Sequence, residues 1–338
     1  MRRDEEMRRE LFARFLSTNL EREEKKSGWG KAWSNIALSK YWGKRDNELH
    51  LPTVSSLSIS LPGWGSRTKV MLLDPSAHFS CSLNGEELPS TSTFFTRLLH
   101  FLHPLSELLS RSFRVETYNT IPTASGLASS ASGFAALVRA LADLLQWKVT
   151  IQDLSLLARL GSGSATRSLY EGFVEWRRGE REDGLDSHAV PLSDRWEKFR
   201  IALLLCKDGP KEISSREAMQ QTVESSPLYP SWITAAERDF RLLKKAIAKR
   251  DFPSVGGIAE YNALAMHATL LAARPSLSYS NSITWQEREK VCKLRKEGHL
   301  IFCTQDAGPH LKLLFLEEES ALVKAHFPQA ILIAPFKT

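Results

Sequence analysis

With 338 residues, 42% of them hydrophobic and 25% charged, the chain has a globular composition and enough length for two domains with a sizeable core. Its net charge of +6 is not gathered into a basic block, which argues against nucleic-acid binding and for a basic pocket that takes small anions. No run approaches a membrane span, the N-terminus lacks the apolar stretch of a signal peptide, and Cys81, Cys206, Cys292 and Cys303 lie far apart with no metal or redox spacing, so reduced thiols in a cytoplasmic protein are expected.

The first 26 residues mix both charge signs, and Met7, Leu11, Phe12, Phe15 and Leu16 fall on one helical face. A short amphipathic helix is expected, docked on the body or on a partner subunit, with a frayed extension as the competing reading. KAWSNIALSKYW then opens the globular part with strand and loop character. β-type runs follow at SSLSISL, TKVMLLD, HFSCSLNG and FRVETYN, and Asn84-Gly85 signals a hairpin. Helical periodicity covers roughly 92–110, 128–146 and 151–160. DSHAVPLSDRWEKF, with Pro, Ser and mixed charge, is the expected domain junction. Beyond it FRIALLLCKD has the pattern of a buried strand, and helices are expected at roughly 211–225, 230–250, 252–273 and 282–297. Short strands close the chain at HLIFCTQD, LKLLFL and AILIAP. Both halves are α+β rather than a regular βαβ alternation.

Four segments carry chemistry. YNTIPTASGLASSASG, residues 118–133, is uncharged, rich in Ser and Gly, and feeds a helix from a strand. Such a turn aims backbone N–H groups and the positive end of the helix dipole at one spot, which suits a phosphate; an ordinary capped turn is the alternative. It is not a Walker A loop, so its cations must come from elsewhere in the chain. In the segment from Asn35 to Leu61, Lys40, Lys44 and Arg45 crowd around Tyr41, Trp42 and Gly43: an anion site, or a surface loop with snorkelling lysines. In LGSGSATRSLYEGFVEW, Arg167 follows a Gly/Ser turn and can clamp a carboxylate or phosphate, or else pair with Glu171 or Glu175. In CTQDAGPHLKLLF, Asp306 ends an apolar strand beside a Gly-Pro turn, placed for chemistry or for closing that turn. No G-x-S-x-G elbow and no H-E-x-x-H pair occurs, and no protein metal site is expected.

Taken together, NIALSKYWGKRD…LPTVSSLSISL, PTASGLASSASGFAAL, GSGSATRSLYEGFVEW…DGLDS and QDAGPH resemble, in order, the motifs of the mevalonate diphosphate decarboxylases of the GHMP small-molecule kinase superfamily. MQQTVESSP, DFPSVGGIAEYNALAMHAT and SYSNSITW extend the likeness over about residues 30 to 318. The resemblance implies a ribosomal-S5-type ATP-binding domain over 27–192, a ferredoxin-like domain over 193–338, and an active site in the cleft between them. Residues 1–26 are an extension outside it. It also implies a homodimer, MgATP as co-substrate and a place in the mevalonate pathway of isoprenoid biosynthesis. The C3 hydroxyl of mevalonate 5-diphosphate takes the γ-phosphoryl group; phosphate and CO2 then leave, giving isopentenyl diphosphate and ADP.

Residue by residue, the resemblance implies that Asp306 orients the hydroxyl or accepts its proton, Lys40 supplies adjacent positive charge, and Arg167 holds the carboxylate that departs. Tyr41, Trp42, Gly43, Lys44, Ser162, Gly163, Ser164, Ala165, Thr166 and Thr222 would line the substrate. Pro122, Ser125, Gly126, Leu127, Ala128, Ser129, Ser130 and Ser132 would surround the ATP phosphates. The presence of both Lys40 and Asp306 separates the chain from the mevalonate 3-kinases of the same family, which lack that pair. One departure stands out: EELPSTSTFF has no basic residue where the family places one for the terminal phosphate, and Arg97 is the next candidate. This leaves open a phosphomevalonate decarboxylase giving isopentenyl phosphate. An inactive paralogue acting as a binding module is the reading from a different class.

Overall fold

The computed structural model describes residues 3–18, 25–120, 129–206 and 213–336. The first half contains α1 (Arg3–Leu16), β1 (Ser27–Ser39), β2 (Lys44–Asp46), β3 (Leu51–Pro52), β4 (Ser56–Leu73), β5 (Ser80–Leu83), β6 (Glu86–Glu87), α2 (Thr93–Leu109), β7 (Ser112–Asn119), α3 (Ser129–Leu144), α4 (Ile151–Gly161), β8 (Phe173–Trp176) and β9 (Ala189–Pro191). The second contains β10 (Phe199–Leu204), α5 (Ser215–Ser225), α6 (Tyr229–Ala248), α7 (Phe252–Leu271), α8 (Ser282–Lys296), β11 (Phe302–Gln305), β12 (Leu311–Leu316), α9 (Ser320–His326) and β13 (Ile331–Ile333).

Among the described residues the first sheet runs β6-β5-β7-β4-β8-β9, with β1 also on β4. β1 and β4 were expected as shorter pieces. Instead β1 pairs along its length with β4, from Ser27 opposite Met71 to Ser39 opposite Leu57. Pro62 and Gly63 made β4 read as two runs; a bulge between Trp33 and Ser34 absorbs them without ending the pairing. Asn84 and Gly85 both have positive φ and turn β5 into β6, as their hairpin signal required. α3 lies directly on β1, because a Cβ at Gly30 would overlap the Ala136 carbonyl. That contact seats the body of the helix, which begins at Ser129, on the sheet.

In the second half β10 sits inside the antiparallel order β11-β12-β10-β13, and all six of its residues are buried. Residues 163–169, expected as a loop, form a 3-10 helix, and the seven-residue α9 was too short to show a period.

The two halves share a hydrophobic cluster. Ile36, Leu38, Leu57, Ile59 and Phe173 from the first pack with Phe199, Ile201, Phe252, Val255 and Phe302 from the second. Each such side chain contributes roughly 1.5–3 kcal/mol by leaving water. Polar ties flank the cluster: Lys244 of α6 pairs with Glu175 of β8, and the Ser55 N–H donates to Glu237 Oε1 at 2.7 Å. This common core presses the end of β1 against the turn after β11.

Candidate active site

Lys40 leaves β1 at that junction. Its backbone N–H donates to Asn262 Oδ1 of α7 at 2.8 Å, and the Asn262 amide in turn donates to Asp239 at 3.1 Å. The Lys40 ammonium donates to the Ala37 carbonyl at 2.8 Å and to Asp306 Oδ1 at 2.7 Å. From β12, Lys312 Nζ lies 3.3 Å from Asp306 Oδ2. Both lysine side chains are only 2% exposed, whereas that of Asp306 is 30% exposed. The ammonium groups therefore back the carboxylate while one side of it stays open. Burial raises the Asp306 carboxyl, but Lys40 and Lys312 outweigh burial and hold it well below the usual carboxylate range. Burial pulls the Lys40 ammonium down, and Asp306 opposes the fall.

Arg167, in the 3-10 segment, is 3% exposed. Its Nε donates to Asn35 Oδ1 at 3.3 Å and Nη1 donates to the Ser56 hydroxyl. Burial lowers it to about 10, with the Asp306 charge opposing. It pairs with neither Glu171, which accepts from the Trp33 indole, nor Glu175, which pairs with Lys244 and Arg177. Asp306 likewise does not close its own turn through its side chain; there its backbone carbonyl accepts from the Gly308 N–H at 2.7 Å.

A second group of cations differs in kind. Burial and the positive fields of Arg216 and Arg97 push the Lys44 ammonium down to about 8. Arg97, also lowered to about 10 by burial and by Arg216, is aimed by a bond from Nη2 to the Gly161 carbonyl at 3.0 Å and lies over the Phe134 ring. Arg216 stands in the first turn of α5, behind the Ser214 capping box. Among the described residues no carboxylate is within ion-pairing distance of Lys44, Arg97 or Arg216. Three mutually repelling cations, opposed only by the field of Asp46 on Lys44 and held in no ion pair, form a site for an external polyanion.

The remaining predicted residues divide between the site and its support. Tyr41 packs edge-on against Trp176 at 4.7 Å. Trp42 is buried among Met219, Tyr229 and Trp232 and serves packing. Gly43 has φ +97°, and a Cβ there would overlap the Tyr229 hydroxyl, so the Trp42–Lys44 turn is held tightly against α6. Ser164 is half-exposed, while Gly163, Ala165 and Thr166 are buried, and the Thr166 hydroxyl bonds back to the Gly163 carbonyl at 2.9 Å. Thr222 requires correction. It is fully buried, and its hydroxyl bonds to the Ala218 carbonyl one turn back at 2.7 Å, so Arg216 is the α5 residue that faces the cations. Ser132 is fully buried, with its hydroxyl 2.8 Å from Ser66 and 3.3 Å from Ser34. Ser130 approaches Ser162, hydroxyl to hydroxyl, at 3.4 Å. Ser129 begins α3. Pro122, Ser125, Gly126, Leu127 and Ala128 lie outside the described residues.

The DGLDS segment is structural. The fully buried Arg159 donates to the carbonyls of Leu49, Gly184 and Ser187, tying that segment to the β2–β3 hairpin. Lys312, Asn262 and Arg216 were missed. Arg216 sits in a helix first turn where a cation opposes the dipole, which was a readable signal.

Residues 32–189 match the family model for the diphosphomevalonate decarboxylase-like N-terminal domain, and residues 201–334 match that for the mevalonate 5-diphosphate decarboxylase C-terminal domain. The chain belongs to the diphosphomevalonate decarboxylase family. A diphosphomevalonate decarboxylase of Gibberella zeae is 38% identical over 316 residues, covering 88% of this chain and 83% of that one. The human diphosphomevalonate decarboxylase is 35% identical, covering 85% and 76%. The crystal structure of mevalonate diphosphate decarboxylase from Staphylococcus aureus superimposes with a TM-score of 0.87 at 33% identity, covering 93% and 96%. A structure of MDDEF in complex with MVAPP, AMPPCP and magnesium gives 0.85 at 35% identity, covering 92% and 97%. These matches give the chain the GHMP kinase fold and make it an enzyme of this decarboxylase class.

Proposed function

We propose that the Lys40–Asp306–Arg167 centre carries out ATP-dependent decarboxylation of mevalonate 5-diphosphate, with the diphosphate held by Lys44, Arg97 and Arg216. One observation carries the assignment: a half-open carboxylate backed by buried ammonium groups lies within the field of a buried guanidinium, beside a separate cation cluster that makes no ion pair among the described residues. A 3-hydroxy acid bearing a terminal diphosphate has groups that match each of these. The MDDEF complex with MVAPP supports the same substrate.

Asp306 accepts a hydrogen bond from the C3 hydroxyl and orients it. Because the lysines weaken it as a base, it takes the proton late, once phosphoryl transfer has made the oxygen acidic. Lys40 offsets charge that develops on the transferred group. Arg167 holds the C1 carboxylate, exchanging its bonds to Asn35 and Ser56 for a charged partner. The N-terminus of α3, with no acidic residue in its first turn, fits the ATP phosphates together with Ser130. Magnesium arrives with ATP and supplies charge neutralisation to its phosphates.

Arg97 answers the missing basic residue after the hairpin, which favours the diphosphate over the monophosphate. The inactive-paralogue reading loses its ground, since Lys40, Arg167 and Asp306 converge. We place the domain boundary between residues 192 and 193. A homodimer is supported by Tyr261, Leu264 and Leu271, exposed apolar residues of α7. Cytoplasmic residence is supported by the free cysteines. Among the described residues no helix is long and apolar enough to cross a membrane. The test is parallel measurement of ADP and CO2 release with mevalonate, its 5-phosphate and its 5-diphosphate. Equal release of both products from the 5-diphosphate, at least tenfold more efficient than from the others, is expected; preference for the 5-phosphate would overturn the assignment of the cation cluster.

A further inference from the structure

The family-model match begins at residue 32, so α1 lies ahead of it. The helix is nevertheless firmly seated. Phe12 and Phe15 are fully buried, Phe12 against Phe101 and Trp147, and Phe15 against Trp147 at 5.2 Å. Arg9 and Arg14 pair with Glu107 of α2 and Asp153 of α4 at 2.7 and 2.6 Å. With the body of the helix fixed, its first turn reaches the β2–β3 hairpin. The Arg3 guanidinium donates to Asp46 Oδ2 at 2.6 Å and to the Glu182 carbonyl at 3.2 Å, while the Arg3 backbone N–H donates to Glu48 Oε2 at 3.2 Å. Asp46 ends the strand that Lys44 begins, and it supplies the negative field that acts on the Lys44 ammonium. Without Arg3, the Asp46 carboxylate would lose its ion-pair partner and act more strongly beside the Lys44 ammonium.

We propose that α1 sets the affinity of the phosphate end of the substrate site, with Arg3 as a positioning residue that neutralises Asp46 and anchors the hairpin carrying Lys44. The inference rests on the placement of the diphosphate at Lys44, Arg97 and Arg216. The effect is electrostatic, so it grows with the charge of the substrate and shrinks with salt. It leaves the reacting centre untouched, because Lys40 and Asp306 are held by α7 and β12 rather than by the hairpin.

The experiment uses the full chain with mevalonate 5-diphosphate. Arg3→Ala should raise its KM about fivefold at roughly 20 mM salt and by less than about twofold at roughly 0.5 M, the scale of an exposed charge pair under screening. The values of kcat and of KM for ATP should not move, and Arg3→Lys should behave as the unsubstituted chain. Adding Asp46→Asn to Arg3→Ala should restore KM, which a merely structural role for Arg3 would not allow. An unchanged KM at low salt, or a raised KM that Asp46→Asn does not relieve, overturns the proposal. Lys44→Ala is the control for the underlying placement: if it leaves KM for the diphosphate unchanged, the diphosphate lies elsewhere and both readings fall. If Lys44→Ala raises KM while Arg3→Ala does not, only the role of α1 is lost.

Discussion

Two groups of cations, linked in sequence only through Lys40 and Lys44, are built on opposite principles. Lys40 and Lys312 are buried and saturated, each in contact with Asp306. Lys44, Arg97 and Arg216 are partly open and repel one another. The first arrangement keeps its shape without ligand, because removing any member leaves a buried charge uncompensated, at about 3–5 kcal/mol. The second gains its counter-charge only when a polyanion arrives. A pre-formed centre and a ligand-completed cluster should therefore fail differently: loss in the first should appear in turnover, and loss in the second in affinity.

The largest effect is expected at Asp306. Asp306→Asn should lower kcat by about three orders of magnitude, near 4 kcal/mol, with ATP affinity nearly unchanged in a binding titration. A variant that kept a tenth of the turnover would place the reacting hydroxyl elsewhere. Arg167→Ala should follow, costing about 2–5 kcal/mol in kcat/KM for the mono- and diphosphate alike, since it addresses the opposite end of the molecule. A tenfold change in the preference between them would reverse the orientation of the substrate.

Arg216→Ala should be smaller and selective. It should raise KM for the 5-diphosphate about tenfold to a hundredfold, roughly 1.4–2.8 kcal/mol, with less effect on the 5-phosphate and none on kcat. A fall in kcat with KM intact would erase the distinction between the two groups. The mildest test is pH. The Lys44 ammonium is held down to about 8 by burial and its cationic neighbours, so it is charged below that pH and loses its charge above it. Affinity for the diphosphate should accordingly decline as pH rises through about 8, seen as a falling limb in kcat/KM. Lys44→Arg, which stays charged there, should make that limb shallower.

The long-range partners explain which parts of this arrangement could be read in the sequence. Asn84-Gly85 and the apolar face of α1 act locally and were visible as patterns. Lys40, Arg167 and Asp306 stood out through the motifs around them. Lys312 did not, because its partner is a side chain beyond the Gly-Pro turn, and a lysine in a strand reads as solvent-facing until the fold buries it. Thr222 misled for the opposite reason: a hydroxyl on a polar helix looks available, and nothing local shows that tertiary packing turns it inward. The length of β4 was hidden by Pro62 and Gly63, since only the partner strand reveals that a bulge can carry pairing past them.

The cluster shared by the two halves also bears on how the chain is made. Lys40 and Asp306 are 266 positions apart in sequence, yet they meet because Leu57, Ile59 and Phe173 are covered by Phe199, Phe252 and Phe302. During synthesis the first half emerges long before that cover exists, so its apolar sheet face remains open to water until the later strands arrive. A nascent or truncated chain ending near residue 192 would present this bare face to other chains. The same contact that aligns the reacting groups makes the isolated first half prone to aggregate and ties the onset of activity to translation of the last strands.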